Sequence, residues 1–271
     1  MYKRIFTIIV ILIISKYQAQ NHRFFYELEF KKDSTSTDLK RDFYILDISK
    51  NEQKFYNYEF YKNDSIQKAK NSDYIFSYPN LEIRLIHKKN DSFENYFVET
   101  PQYYLQKTFD KQNWIIESEK KKIGNYNVQK ATTHFGGRNW IAWFASEIPL
   151  NFGPYKFYGL PGLILEIYDT NQNFKFTFKG NNNMQKEENT SPYLETLNGQ
   201  KPTEVNEKQR QKLKIDHYIN PLKDFQDGMI VENDKGEKVE VNVRDLTEKQ
   251  QKYLKQYNNP IELDKAIQYP N

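Results

Sequence analysis

Three carboxylates, Glu147, Glu166 and Asp169, share a stretch with His134, Arg138, Trp140 and Trp143. Paired carboxylates are what glycoside hydrolysis requires, one giving a proton while the other attacks or activates water. Arg138 or His134 would then orient the substrate. This reading makes the chain a carboxylate-dependent hydrolase of an envelope or glycan substrate. Nothing in the spacing sets the distance between the carboxylates, so it stands as the alternative, and the primary expectation assigns no catalytic residue.

Other chemistries fail on specific positions. Asp169, Asn171 and Asn173 begin like a calcium loop, but Phe174 takes the position that needs Gly and Gly180 the one that needs a bidentate Glu. Ser146 lacks the Gly-x-Ser-x-Gly setting of a nucleophile elbow. Gly153, Gly159 and Gly162 have neither the dinucleotide nor the Gly-Lys-Ser/Thr pattern of a phosphate cradle. His22, His87, His134 and His217 stand too far apart in sequence to pair as metal ligands. The chain has no Cys, which removes thiolate zinc sites, redox pairs and a thiol nucleophile. No metal and no cofactor are expected.

The elements around these residues are turn-makers. Five of the ten glycines, Gly136, Gly137, Gly153, Gly159 and Gly162, fall between Tyr126 and Asp169 with Pro149, Pro154 and Pro161. Gly136-Gly137 fits a two-residue type I′ hairpin, since both positions need positive φ. That turn sets Phe135 opposite Arg138, Thr133 opposite Trp140 and Lys130 opposite Trp143. A Lys above an exposed indole contributes about 0.5–1 kcal/mol. Leu160-Pro161-Gly162-Leu163 reads as a type II turn with Gly162 at positive φ, entering a strand over Leu163–Asp169. Gly136, Gly137, Gly159, Pro161 and Gly162 are therefore structural turn positions.

Period-two patterns mark strands on either side. Phe24, Tyr26, Leu28 and Phe30 alternate, and DFYILDI and FYNYEFY follow as strands. LEIRLIHKK and SFENYFVET read as a hairpin, as do LQKTFD with NWIIESE, GMIVEND with EKVEVNV, and LILEIYD with FKFTFKG. Residues 203–214 carry helix formers with only Val205 and Leu213 as apolar contacts, and read as a surface helix or a mobile segment. Thr247 and Gln250 suggest a capping box for a last helix docked by Tyr253, Leu254 and Tyr257. The fold class expected is mainly β (α+β), an antiparallel curved sheet or open half-barrel of hairpins with one or two C-terminal surface helices.

The chain begins with Lys3 and Arg4, an apolar run from Ile5 to Ile14 and small residues near Ala19, the parts of a secretory signal peptide. The run is too short to span a membrane. The expected division is a signal peptide over 1–20 and one β-rich domain over 21–271, with no transmembrane span after cleavage. Of the 40 basic residues, Lys3, Arg4 and Lys16 leave with the signal, so 37 face 36 acidic ones. A near-neutral chain without clustered positive charge is not expected to bind nucleic acid.

The motifs Gly137-Arg138-x-Trp140-x-Ala142-Trp143, Glu147-Ile148-Pro149, Gly153-Pro154 and Gly159 through Glu166, with Asn259-Pro260-Ile261-Glu262 near the end, resemble those of the GLPGLI family of exported Bacteroidetes proteins. The resemblance implies a periplasmic, outer-membrane-associated or secreted β-rich domain, and it implies no activity. Many members carry Cys where this chain has Asn127. Asp33-Ser34-Thr35 and Asp64-Ser65-Ile66 match the short O-glycosylation pattern of that phylum. By analogy with lipoprotein carriers, the curved sheet would hold a hydrophobic ligand. The expected function is a non-enzymatic envelope protein that binds such a ligand or an outer-membrane protein partner. Arg138, Trp140, Trp143, Glu147, Tyr155, Tyr158 and Glu166 are the candidate binding residues, with Tyr155 and Tyr158 the points at which a scaffold would dock.

Overall fold

The period-two face of the first strand packs as its spacing demands: Phe24, Tyr26, Leu28 and Phe30 of β1 (Asn21–Phe30) are all buried. The computed structural model describes residues 21–50, 52–70, 80–81, 83–99, 102–223, 229–232 and 238–270. The signal peptide expected over 1–20 and the turn expected at Asp234–Gly236 lie outside them.

Next come β2 (Lys40–Ser49), β3 (Glu52–Asn57) and helix α1 (Tyr58–Lys70), then β4 (Leu85–Lys89), β5 (Ser92–Glu99) and β6 (Gln102–Thr108). The second half holds β7 (Ile115–Ile123), β8 (Tyr126–Phe135), β9 (Arg138–Ala145), β10 (Leu163–Asp169), β11 (Phe174–Met184) and the short β12 (Thr203–Glu204). Helix α2 (Glu207–Ile219), the hairpin β13 (Met229–Glu232) with β14 (Lys238–Val241), and helix α3 (Val243–Gln256) complete the order.

β1 to β12 form one open sheet in the order β12-β6-β5-β4-β3-β2-β1-β11-β10-β9-β8-β7, antiparallel except where β12 meets β6. LQKTFD and NWIIESE were expected to pair, yet β6 lies near one end of this sheet and β7 forms the other. Residues 109–114 join them. Ten inter-strand steps would hold β6 and β7 about 48 Å apart in a flat sheet, whereas the seven Cα steps from Thr108 to Ile115 reach at most about 25 Å. The sheet must therefore curl strongly, with residues 109–114 crossing the gap.

Other expectations change at the ends of elements. FYNYEFY is strand only to Asn57, where Asn57 Oδ1 accepts from Glu59 N at 2.9 Å and the chain turns into α1. Helix α3 is capped by Asn242, whose side chain accepts from Arg244 N and Asp245 N, so Thr247 lies inside it and donates to Val243 O. Asn206 caps α2 with Gln209 in a reciprocal box.

The inner face of the curl packs against residues 151–162, a plug, and residues 258–267, a strap. The outer face of β2 to β6 packs against α1 and a short helical turn at Ser191–Glu195, around Ile45, Tyr56, Phe60 and Tyr103.

Candidate functional site

The Gly136-Gly137 hairpin anchors the interior. Both residues have positive φ, 61° and 71°, and the pairs Phe135 with Arg138, Thr133 with Trp140 and Lys130 with Trp143 face one another. The glycines have a second use. A Cβ on Gly136 would lie 3.0 Å from the Glu262 backbone and one on Gly137 2.9 Å from Asp264 N, so the strap lies directly on the turn.

Arg138 is the clamp that keeps the strap there. Its Nε donates to Ile261 O at 3.0 Å, and its Nη2 to Asn259 Oδ1 at 2.6 Å and Pro260 O at 2.8 Å. Its Nη1 lies 3.5 Å from Asp169 Oδ2. Burial pulls this guanidinium below its ordinary pKa, and Asp169 opposes that. Asp169 also accepts from the backbone N of Asn173 and Phe174, at 2.7 Å each. Its carboxylate serves the turn and the clamp.

The plug is wedged between the two arms of the curl. Phe157, fully buried, meets Trp140 at 4.8 Å between ring centroids and Phe135 at 5.5 Å. On the other arm Tyr158 meets Phe93 at 5.6 Å, and Gln53 donates to Tyr155 O at 2.9 Å. Trp114 Nε1, in the crossover, donates to Tyr158 O at 2.8 Å. Tyr155 holds φ at +57°, unusual for a bulky side chain, and its surroundings fix it there. Gly162 does not take the positive φ expected of a type II turn. Its requirement is space, since a Cβ there would stand 2.2 Å from the carbonyl oxygen of Ala145. Gly159 does have positive φ, at +95°, and Pro161 lies between the two.

Plug and strap are joined by a buried ionic network that sequence reasoning missed. Lys156, 2% exposed, reaches Glu262 Oε1 at 2.6 Å and Asp110 Oδ2 at 2.8 Å. Tyr155 OH donates to Glu262 Oε1 at 2.5 Å, and Lys265 pairs with Glu262 Oε2. Burial would raise the Glu262 carboxyl, but Lys156 and Lys265 outweigh it and hold its pKa at about 2. Burial, then Glu262, push the Tyr155 hydroxyl well above its ordinary value.

The candidate residues thus divide. Arg138, Trp140, Tyr155 and Tyr158 meet in the interior as packing and clamp. Trp143 and Glu166 meet elsewhere: the two are strand neighbours on β9 and β10, and Lys121 Nζ stands 4.2 Å from the Trp143 ring centre and 2.6 Å from Glu166 Oε1. Lys121 therefore takes the place over the indole expected for Lys130, which reaches Glu117 and Glu119 instead. Burial raises the Glu166 carboxyl, but Lys121 and Lys175 bring it below its ordinary value. Glu147 accepts from Asn127 N at 2.8 Å. Each carboxylate of the hydrolase reading has its own structural partner, and no shared cleft gathers them. His134 bonds Asn139 at 2.9 Å.

The open space lies elsewhere on the concave side. A half-open cleft of about 420 Å³ runs between strands β4 to β6, the plug and strap, and helices α2 and α3. Ile86, Asn95, Phe97 and Glu99 line the sheet wall, while Lys214, His217, Leu254 and Tyr257 line the helical wall. Glu99 Oε2 lies 2.8 Å from Lys214 Nζ, and its Oε1 lies 3.3 Å from His217 Nδ1. The signal in the sequence was the helical spacing of Arg210, Lys214 and His217, which put an Arg, a Lys and a His on one face. Among the described residues no group of His, Asp and Glu is arranged to hold a metal ion, and no helix is long and apolar enough to cross a membrane.

A family model described as a protein of unknown function (Porph_ging) matches residues 136–166. Those residues are the hairpin turn, β9 and the plug, through to Glu166 of β10. The fold is similar to that of PNGF-II, solved in C2 and P21 space groups, at 17% identity and a TM-score of 0.51. That likeness covers 72% of this chain but only 32% and 33% of the PNGF-II chains. The chain therefore spans about a third of the length of the solved chains it matches. No curated protein matches it.

Proposed function

We propose that this chain is a non-enzymatic exported module of the cell envelope that binds a hydrophobic ligand in the cleft between β4–β6 and helices α2 and α3. One observation carries the reading. The plug and strap fill part of the concave face and leave the rest as a cavity of about 420 Å³, within the size range of ligand pockets. Its walls combine apolar side chains, Ile86, Phe97, Leu254 and Tyr257, with a few polar ones that would fix orientation. A family of unknown function is compatible with such a role, and residues 1–20 supply the export signal. Docking through Tyr155 and Tyr158 is disfavoured, because the plug that carries them packs inward.

The test is a fluorescence titration of the mature chain with 1-anilinonaphthalene-8-sulfonate, an aromatic probe with one charged end. A single saturable site is expected in the wild type, and its loss in Leu254→Arg, whose charge would enter the cleft. Absence of saturable binding, or equal binding by the variant, would overturn the proposal.

A further inference from the structure

The cleft lining combines two kinds of side chain. Leu81, Leu254 and Tyr257 are apolar or aromatic. Arg210, Lys214 and His217 line up along one face of α2 at spacings of four and three residues. The sheet offers this face one carboxylate, Glu99, whose side chain is 11% exposed and engages both Lys214 and His217. Arg210 pairs with Glu207 of its own helix at 2.9 Å and donates to the backbone oxygen of Lys265 at 3.0 Å. Farther in, Lys156 and Lys265 are matched by Asp110 and Glu262. Inside the cleft, Lys214 and His217 thus share one sheet carboxylate.

Resting on the cleft as the ligand site, we propose that the ligand is an anionic amphiphile: an apolar chain along Leu254 and Tyr257, and a carboxylate, sulfate or phosphate head held by Lys214 and Arg210. A charge-assisted hydrogen bond from a partly buried Lys to an anionic head is stronger than one to a neutral hydroxyl. Glu99 acts as the resident anion, giving Lys214 and His217 a partner when the cleft is empty and competing with the incoming head. If Glu99 served only to pin α2 to β5, removing its charge would loosen the helix and weaken binding. As a competitor, its removal strengthens binding.

The experiment is calorimetric titration of the mature chain with decanoate, decyl phosphate and the neutral monodecanoylglycerol, each below its micelle concentration. The anionic ligands are expected to bind about tenfold or more tightly than the neutral one. Preference between decanoate and decyl phosphate separates a fatty carboxylate from a phospho head. Lys214→Gln should lose about tenfold for the anionic ligands and leave the neutral one unchanged. Glu99→Gln should bind the anionic ligands more tightly. Thermal melts of both variants check folding, and Arg210→Gln replaces Lys214→Gln if that variant does not fold. Equal binding of neutral and anionic ligands, or a parallel loss for both in Lys214→Gln, overturns the anionic head while the cleft stands. Binding of none of the three overturns the cleft reading and this inference with it.

Discussion

Phe157 and Leu160 of the plug are 0% and 1% exposed, and Gly153 and Gly162 near its two ends leave no room for a methyl group. Across the same interior, no residue of α3 is buried, and Tyr253 and Tyr257 stand 44% and 38% exposed. The first region is fixed by backbone crowding, a buried guanidinium and a closed ionic network. The second is held by few contacts and borders the cleft. Motif residues thus mark the part of the molecule that must not move, and the part with room for a ligand lies outside them.

The largest effect expected from this contrast is at Gly162. Alanine there would force its methyl into the Ala145 carbonyl, and a loss above about 3 kcal/mol is expected in urea unfolding, beyond ordinary overpacking. The matching change at Gly199, with φ +76° and open space around it, should cost only about 1–2 kcal/mol. Equal costs would remove crowding as the reason for glycine. Arg138→Met should follow, at about 3–5 kcal/mol, because it strands Asp169 and the carbonyls of the strap. Proteolysis within residues 258–270 should rise in the same variant, and a strap as resistant as in the wild type would show that the clamp is not what holds it.

Glu262→Gln comes next and depends on pH. The folded carboxyl titrates at about 2 against an ordinary 4.5, so its stabilisation is complete above about pH 4.5 and disappears as pH falls toward 2. At neutral pH that difference corresponds to a loss on the order of 3 kcal/mol in the variant. Stability curves of the two proteins should converge only as pH falls to about 2, and a gap unchanged down to that pH would exclude the ionic network as its source. Smallest of all, Tyr253→Ala should change stability by less than about 0.5 kcal/mol. A drop as large as that of Arg138→Met would erase the distinction between the two regions.

What could be read from the sequence was what short range determines. Gly136-Gly137 specified a turn and with it the whole β8–β9 register, and alternation placed the buried face of β1. The reach of Lys121 to Trp143 could not be read, because a register shift between Ile116 and Lys120 moves β7 along β8. Gly162 was identified as special for a local reason, positive φ, when the cause is a neighbouring strand. Arg138 was singled out, but its partners in the strap lie more than 120 positions later, where spacing carries no information. Likewise the cluster of Glu99 with Lys214 and His217 exists only because α2 folds back onto β5.

Residues 109–114 act as a drawstring. β6 and β7 are consecutive in the chain yet sit at or next to opposite margins of the sheet, so the shortness of this link limits how far the sheet can unroll. The girth of the cavity is thereby written into a connection that takes no part in lining it. Adding residues there would slacken the curl and widen the interior, and so alter the size of molecule it admits without changing any side chain within reach.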